Sequence, residues 1–342
     1  MTPFRLPILF LFTLCFAVAC SQPVPEETHF TGKTMGTTYN IKVPPNASVD
    51  ENILHDQIKA ALANVNALMS TYDPQSELSR FNQSRSQEPF AISPQTHLVI
   101  AEAIRLAGVT EGALDITIGP VVNLWGFGPD MRPEVIPTDE TITEALSKTG
   151  IAQLQLTDRA VIKYHPELYV DLSTIAKGYG VDVIAELLQA NGFTDYLVEI
   201  GGEMRVAGKK LNGQLWRIAI EKPVTEQRIL QKVIEIGDNA IATSGDYRNY
   251  YEQDGVRYSH LIDPTTGKPI QHNLVSVTVV HPSTMTADGL ATALAVMGAE
   301  KAKALAELND WAVMLITKEG DEFVEWASSG FEQRVTVVEP TH

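Results

Sequence analysis

Between residues 51 and 69 (ENILHDQIKAALANVNALM) apolar side chains return every three or four positions, which places Ile53, Ile58, Ala61, Leu62, Val65 and Met69 on one face and predicts a helix. The pattern breaks in STYDPQSELSRFN (70–82), whose Tyr-Asp-Pro centre predicts a turn-rich loop. Ser93 as N-cap and Pro94 at the first helical position predict a second helix that closes near Gly108. The stretch EGALDITIGPVVNLWGFGP that follows is rich in glycine and proline and predicts loop or broken strand. A third helix is capped by Thr138, carries Asp139 and Glu140 in its first turn, and has Gly150 beyond its end.

The period then shortens. AVIKY and LYVDL predict strands that lead into a helix from about Ser173 to Ala190. Further strands are predicted at the end of HFTGKTMGTTYNIKV and in DYLVEI, MRVAG, WRIAI, KVIEI, NAIAT, VRYSHLI and LVSVTVV. One long helix, roughly 285 to 308, precedes WAVMLIT and a last strand pair. Helices gathered on a mostly antiparallel or mixed sheet give an α+β fold.

The N-terminus changes the picture of where this fold works. MTPFR is followed by the apolar run LPILFLFTLCFAV, small residues and Cys20, which predicts a lipoprotein signal over residues 1–19 with Cys20 lipidated; a membrane anchor is the competing reading. Residues 20–28 form a short polar, proline-containing tether, and residues 29–338 are expected to be a single domain. The expected location is exported, lipid-anchored to a bacterial membrane and facing the periplasm, in the inner or outer membrane. Cys15 and Cys20 are the only cysteines, so the exported body has none for a disulfide, for zinc or for nucleophilic attack. The net charge of -16, from 42 acidic and 26 basic residues, argues against a nucleic-acid partner. A phosphorylated ligand of so acidic a chain needs a local lysine, a helix N-terminus or a divalent cation.

Three stretches offer such chemistry. In YVDLSTIAKGYGVDVIAELL, Ser173 is a candidate N-cap, and Lys177 lies in the first turn, where the helix dipole disfavours a cation; an anion there would explain it. Gly178 and Gly180 suggest close approach of a ligand or another backbone, the alternative being a solvent-facing lysine with two packing glycines. In TMTADGLATALAVMG, Asp288 and Thr292 share a helical face and offer oxygen ligands to Mg²⁺ or Ca²⁺, or else Asp288 favours the dipole while Thr292 bonds the carbonyl of residue 288. His260, beside the Ile-Asp-Pro turn of SHLIDPTTGKP, is either a general base or a hydrogen-bonded structural histidine.

Taken in order, TMGTTY, STYDPQSELSRFN, GALDITIGPVVNLWGFG, VDLSTIAKGYGVD, EIGGEMRVAG, IATSGDYRNYY, SHLIDPTTGKP and TADGLATAL resemble the ApbE-type flavin transferases over nearly the whole exported chain. The resemblance implies an ApbE-like fold and an enzyme that splits FAD at its pyrophosphate, attaches FMN through a phosphoester to a threonine of a target protein, and releases AMP. It implies FAD as substrate, Mg²⁺ as cofactor, and as partners threonine-bearing flavoprotein subunits of membrane redox pumps of the NADH:quinone reductase type. Met35, Tyr72, Ala113, Leu114, Asp115, Asp171, Lys177 and Ile262 would line the FAD site, with Asp115 or Asp171 alternatively on adenine or ribose. Tyr72 would stack on a ring, unless it is a buried loop tyrosine. Thr174, by its carbonyl or hydroxyl, with Asp288 and Thr292, would hold Mg²⁺, and His260 would be the base for the acceptor threonine. Two rivals use the same residues: an FAD pyrophosphatase giving FMN and AMP, and a non-enzymatic FAD-binding lipoprotein.

Overall fold

The computed structural model describes residues 26–128, 136–224, 229–246, 249–253 and 255–338. The predicted signal and Cys20 lie outside the described residues. No helix among the described residues is long and apolar enough to cross a membrane.

Eight strands form the central sheet: β1 Thr28–Thr34, β2 Thr37–Val43, β3 Tyr196–Ile200, β4 Glu203–Ala207, β5 Ala240–Gly245, β6 Leu274–His281, β7 Ala312–Glu319 and β8 Glu322–Ala327, side by side in chain order. Each neighbour is antiparallel. The helices are α1 Glu51–Met69, α2 Glu77–Gln83, α3 Pro94–Val109, α4 Gly119–Leu124, α5 Asp139–Leu146, α6 Ala176–Ala190, α7 Thr284–Met297, α8 Ala299–Leu308 and α9 Ser329–Arg334. The α+β expectation holds.

Alternation along the central strands sorts side chains between two layers. Ala242, Val277, Val279, Val313 and Leu315 pack toward α3, α6 and α7. Ile241, Val280, Met314 and Ile316 face the opposite way, into a core shared with a small sheet of residues 218–221, 230–235 and 336–338. Strand β6 is therefore buried on both faces, which is why LVSVTVV reads as an unbroken apolar run.

Several local expectations are corrected. In α1 the buried stripe is Leu54, Ile58, Leu62, Val65 and Met69, whereas Ile53 is 60% exposed and Ala61 only half-buried; spacings of three and four select Leu54. The sequence HFTGKT, not predicted as a strand, is β1, and it turns into β2 through Met35 and Gly36, both with positive φ as a two-residue hairpin demands. The 70–82 loop contains α2, nucleated by Ser76, whose Oγ accepts the Ser79 N–H at 2.9 Å. The expected loop after α3 contains the short α4.

LYVDL does alternate, with Leu168, Val170 and Leu172 fully buried, yet it joins no sheet. The Asn82 amide takes the place of a partner strand, donating to the Val170 carbonyl and accepting its N–H, both at 2.8 Å. The predicted 285–308 helix is broken at Gly298, whose φ of 79° ends α7 and starts α8. VRYSHLI divides at His260 into strand pieces 256–259 and 262–263, and the last predicted strand pair is β8 followed by α9 and a short strand at 336–338.

Candidate active site

Helices α6 and α7 cross the same face of the sheet at unusually short range. A Cβ on Gly178 would lie 2.4 Å from the Thr284 carbonyl oxygen, so only glycine allows this approach. Gly180 leaves room for the Met35 side chain, whose Cε would be 2.7 Å from an added Cβ. Both glycines thus serve packing of protein on protein. Register between the helices is set by Asp182, which accepts hydrogen bonds from Arg205 Nη1, Ser283 Oγ, the Thr284 N–H and hydroxyl, and the Met285 N–H, between 2.8 and 3.0 Å. Five bonds to one carboxylate fix the start of α7 against α6.

The fixed register carries charge into a cleft of about 990 Å³. Asp288, only 4% exposed, accepts the Gly178 N–H at 2.9 Å through Oδ2. Lys177 Nζ is 2.5 Å from Glu203 Oε1 and 4.0 Å from Asp288 Oδ1. Burial lifts the Asp288 carboxyl to about 7, with the neighbouring Glu203 charge pushing the same way against Lys177. Burial opposes the Lys177 charge, but the two carboxylates outweigh it and hold that ammonium above the usual lysine range. The cation that fits poorly with the α6 dipole is therefore held by protein carboxylates. Ser173 does not cap α6, because its hydroxyl and N–H both go to Asp171 Oδ1, at 2.5 and 2.9 Å, and α6 starts at Ala176.

Thr292, one turn beyond Asp288, has its hydroxyl 3.1 Å from Ser244 Oγ on β5. Thr174 Oγ1 is buried without a hydrogen-bond partner. No group of three or more His, Cys, Asp or Glu at ligating distance exists among the described residues. The buried Asp288 carboxylate, the Thr292 hydroxyl and the orphaned Thr174 oxygen still suit a hard cation such as Mg²⁺, which needs few protein ligands when phosphate and water complete its shell.

Across the cleft, His260 stands at the end of a two-stranded hairpin, 250–253 with 256–259. Its Nδ1 is 2.9 Å from the Asn249 carbonyl, which can only accept, so Nδ1 carries the proton and Nε2 keeps its lone pair. Burial lowers the His260 pKa below 6.5 despite that hydrogen bond, and the Lys177 charge adds to the lowering. The imidazole is therefore neutral near pH 7, as a base requires. Rings continue away from it: Phe127 meets His260 edge-on at 6.3 Å, Tyr251 stacks on Phe127 at 5.3 Å, Tyr258 on Tyr251 at 5.2 Å and Trp125 on Tyr258 at 5.5 Å. Trp125 is anchored by its indole N–H on the Gly267 carbonyl, 2.8 Å away.

Met35, Tyr72, Ala113, Leu114, Asp115, Asp171, Lys177, Ile262, Thr174, Asp288, Thr292 and His260 all line this one cleft. Tyr72 is 69% exposed at its edge, so it is not a buried loop tyrosine. Met35 holds a left-handed φ of 47°, a strained conformation for a side chain of its kind. Asp115 and Asp171 each hold a turn, Asp115 through the Thr117 N–H and hydroxyl at 2.7 and 2.6 Å. Glu203 and Ser244 also line the cleft and were not singled out from sequence. Glu203 was discernible: it pairs with the buried Ile200 across a two-residue turn, so both side chains point to the same inner face.

The chain matches the ApbE family over residues 35–315. It is 57% identical over 323 residues to the FAD:protein FMN transferase of Vibrio cholerae serotype O1, covering 94% of this chain and 96% of that protein. The FAD:protein FMN transferase of Haemophilus influenzae is 48% identical over 328 residues, covering 94% and 95%. Among solved structures, flavin transferase ApbE from Vibrio cholerae superposes with a TM-score of 0.86 at 57% identity, covering 91% of this chain and 99% of that one. The apo Pseudomonas stutzeri flavinyl transferase ApbE gives 0.84 at 39% identity, covering 91% and 97%.

Proposed function

The chain belongs to the ApbE family, and from that premise we propose that it is a Mg²⁺-dependent FAD:protein FMN transferase that acts outside the cytoplasm. The observation that carries this reading is a single cleft with a neutral imidazole on one wall and a buried Asp288 with half-buried Lys177 and Thr292 on the other. A threonine hydroxyl is a weak nucleophile near neutral pH, and His260 Nε2 is available to take its proton. The threonine oxygen then bonds the flavin-side phosphorus of FAD, the bond from that phosphorus to the bridging oxygen breaks, and AMP leaves with that oxygen. Lys177 offsets phosphate charge, Asp288, Thr292 and Thr174 would hold the cation, and Met35, Ala113, Leu114 and Ile262 pack on the dinucleotide. Tyr72, exposed at the cleft edge, offers a face for a flavin or adenine ring. Asp115 and Asp171 present acceptors to ribose or adenine. A bound Mg²⁺ would supply charge neutralisation at the pyrophosphate.

The acceptors are threonine-bearing flavoprotein subunits of membrane redox pumps, of the NADH:quinone reductase type. The enzyme reaches them as a domain of residues 29–338, tethered by residues 20–28 to a lipidated Cys20 in a bacterial membrane facing the periplasm. Cys20→Ser should release the exported protein into the soluble fraction; retention in the membrane would indicate an uncleaved apolar helix instead.

The test of the activity is to incubate the protein with FAD, Mg²⁺ and a threonine-bearing target domain and to take the intact mass of the target. A gain of FMN less water is the expected result. Free FMN and AMP with an unchanged target would make the protein a pyrophosphatase. Unconsumed FAD, across targets, would make it an FAD-binding lipoprotein.

A further inference from the structure

Two buried carboxylates share one ammonium in the cleft, and the sharing is uneven. Lys177 Nζ makes a charge-assisted hydrogen bond to Glu203 Oε1 at 2.5 Å, while Asp288 Oδ1, at 4.0 Å, is beyond hydrogen-bond reach. With Oδ2 of Asp288 on the Gly178 N–H, Oδ1 is the oxygen left open toward the cleft. Glu203 is itself 4% exposed, and its second oxygen, Oε2, is buried with no hydrogen-bond partner.

The position of Glu203 is set by backbone. Gly201 and Gly202, with φ of 63° and 111°, form the two-residue turn between β3 and β4, and a Cβ on Gly201 would meet Thr37 Cγ2 at 2.8 Å. Glu203 is the first residue after that turn and pairs with Ile200. Lys177 is different: a compact charge on a flexible four-carbon stem, free to reorient toward whichever anion remains.

We propose that Glu203 is a positioning residue that holds the Lys177 ammonium away from Asp288 and so keeps the Asp288 carboxylate open to a hard divalent cation. This rests on the cation site proposed above. Beside two carboxylates that are each only 4% exposed, an ammonium closes on whichever one remains charged, because little water screens their charge. With Glu203 neutral, Asp288 is the remaining partner, and an ion pair there occupies the oxygen the cation would use. Glu203 thus works against a competitor inside the protein, without itself ligating the cation.

The test uses the purified chain without FAD, with Mn²⁺ as the probe and electron paramagnetic resonance of the free ion as the readout. Glu203→Gln keeps the size of the side chain and should weaken Mn²⁺ binding by about 10- to 100-fold, the usual scale for groups that act through a metal ligand. Glu203→Gln combined with Lys177→Met should recover most of that loss, because the competitor is gone. Lys177→Met alone leaves the Gly-Gly turn and Glu203 intact and should bind Mn²⁺ at least as tightly as the unmodified protein. Wild-type affinity in Glu203→Gln overturns the proposal. So does a double variant as weak as the single one, which would make Glu203 a direct ligand, and so does weakened binding in Lys177→Met. If the unmodified protein and Asp288→Asn are alike in failing to bind Mn²⁺, the cation site itself is wrong, a failure separate from the other three.

Discussion

On the wall of the cleft made by α6 and α7, each charged group is held by elements that are themselves locked together: five hydrogen bonds converge on Asp182, and a glycine lets the helix backbones touch at Gly178. On the facing wall, His260 hangs from a hairpin whose two strands pair only with each other among the described residues. That hairpin leans on a small satellite core of Val121, Trp125, Ile142 and Ile262 through stacked rings. The difference matches what the proposed reaction asks of each wall. Charge stabilisation depends on groups that do not reorganise during reaction, whereas a wall that meets a protein segment must leave room for it and still present one nitrogen correctly. One wall is rigid by packing; the other is aligned by stacking.

The two walls differ most in their chemical groups, His260 and Asp288. His260→Gln should lower the transfer rate about 10²- to 10⁴-fold, the span of general-base contributions, with FAD affinity, measured by equilibrium dialysis, nearly unchanged. An equal loss in both would move His260 to the binding wall. In the unmodified protein the acid limb of the rate profile should fall below pH 6.5, since burial keeps the imidazole neutral down to that pH. The same group costs stability as pH drops below 6.5, where the unfolded chain takes up a proton that the folded chain resists. Asp288→Ala should reduce transfer by about 10²- to 10³-fold, comparable to losing a principal electrostatic stabiliser, and unchanged activity at limiting Mg²⁺ would remove Asp288 from the cation site.

Two smaller effects separate the walls by their construction. Gly178→Ala places a methyl group against backbone that cannot yield, and should destabilise the fold by about 1–3 kcal/mol in denaturant titration. Tyr251→Ala removes two stacked contacts, at 5.3 and 5.2 Å, each worth about 0.5–1.5 kcal/mol. It should slow transfer while leaving FAD affinity and most of the global stability intact. If Tyr251→Ala weakens FAD binding as much as it slows transfer, the two walls are not separable.

Sequence patterns carried the α+β layout and the run of strands in the second half of the chain, because β6 and β7 are long and strongly apolar. They failed where side chains take the place of backbone partners. Val170 has the burial of a strand residue, but its hydrogen bonds go to Asn82, far away in sequence. The helix at 77–83 is too short to show a period, and its Ser76 cap was hidden inside a turn-rich stretch. In the site, Lys177 stood out as a cation at the wrong end of a helix, and it was the partner that escaped notice. Glu203 lies beyond the turn after β3, and only the register of that turn shows that it faces inward.

The eight central strands stand in the order in which they occur along the chain, so each can be added to a growing edge and none has to be inserted between two that are already paired. The cleft has the opposite property. Met35, Lys177, Glu203 and Asp288 come from β1–β2, α6, β4 and α7, and they meet only when the chain beyond residue 283 has folded back over its beginning. Assembly of the sheet is gradual, but the cation wall closes late: a chain still being synthesised, or cut short of α7, carries most of the residues that line the cleft and neither Asp288 nor Thr292.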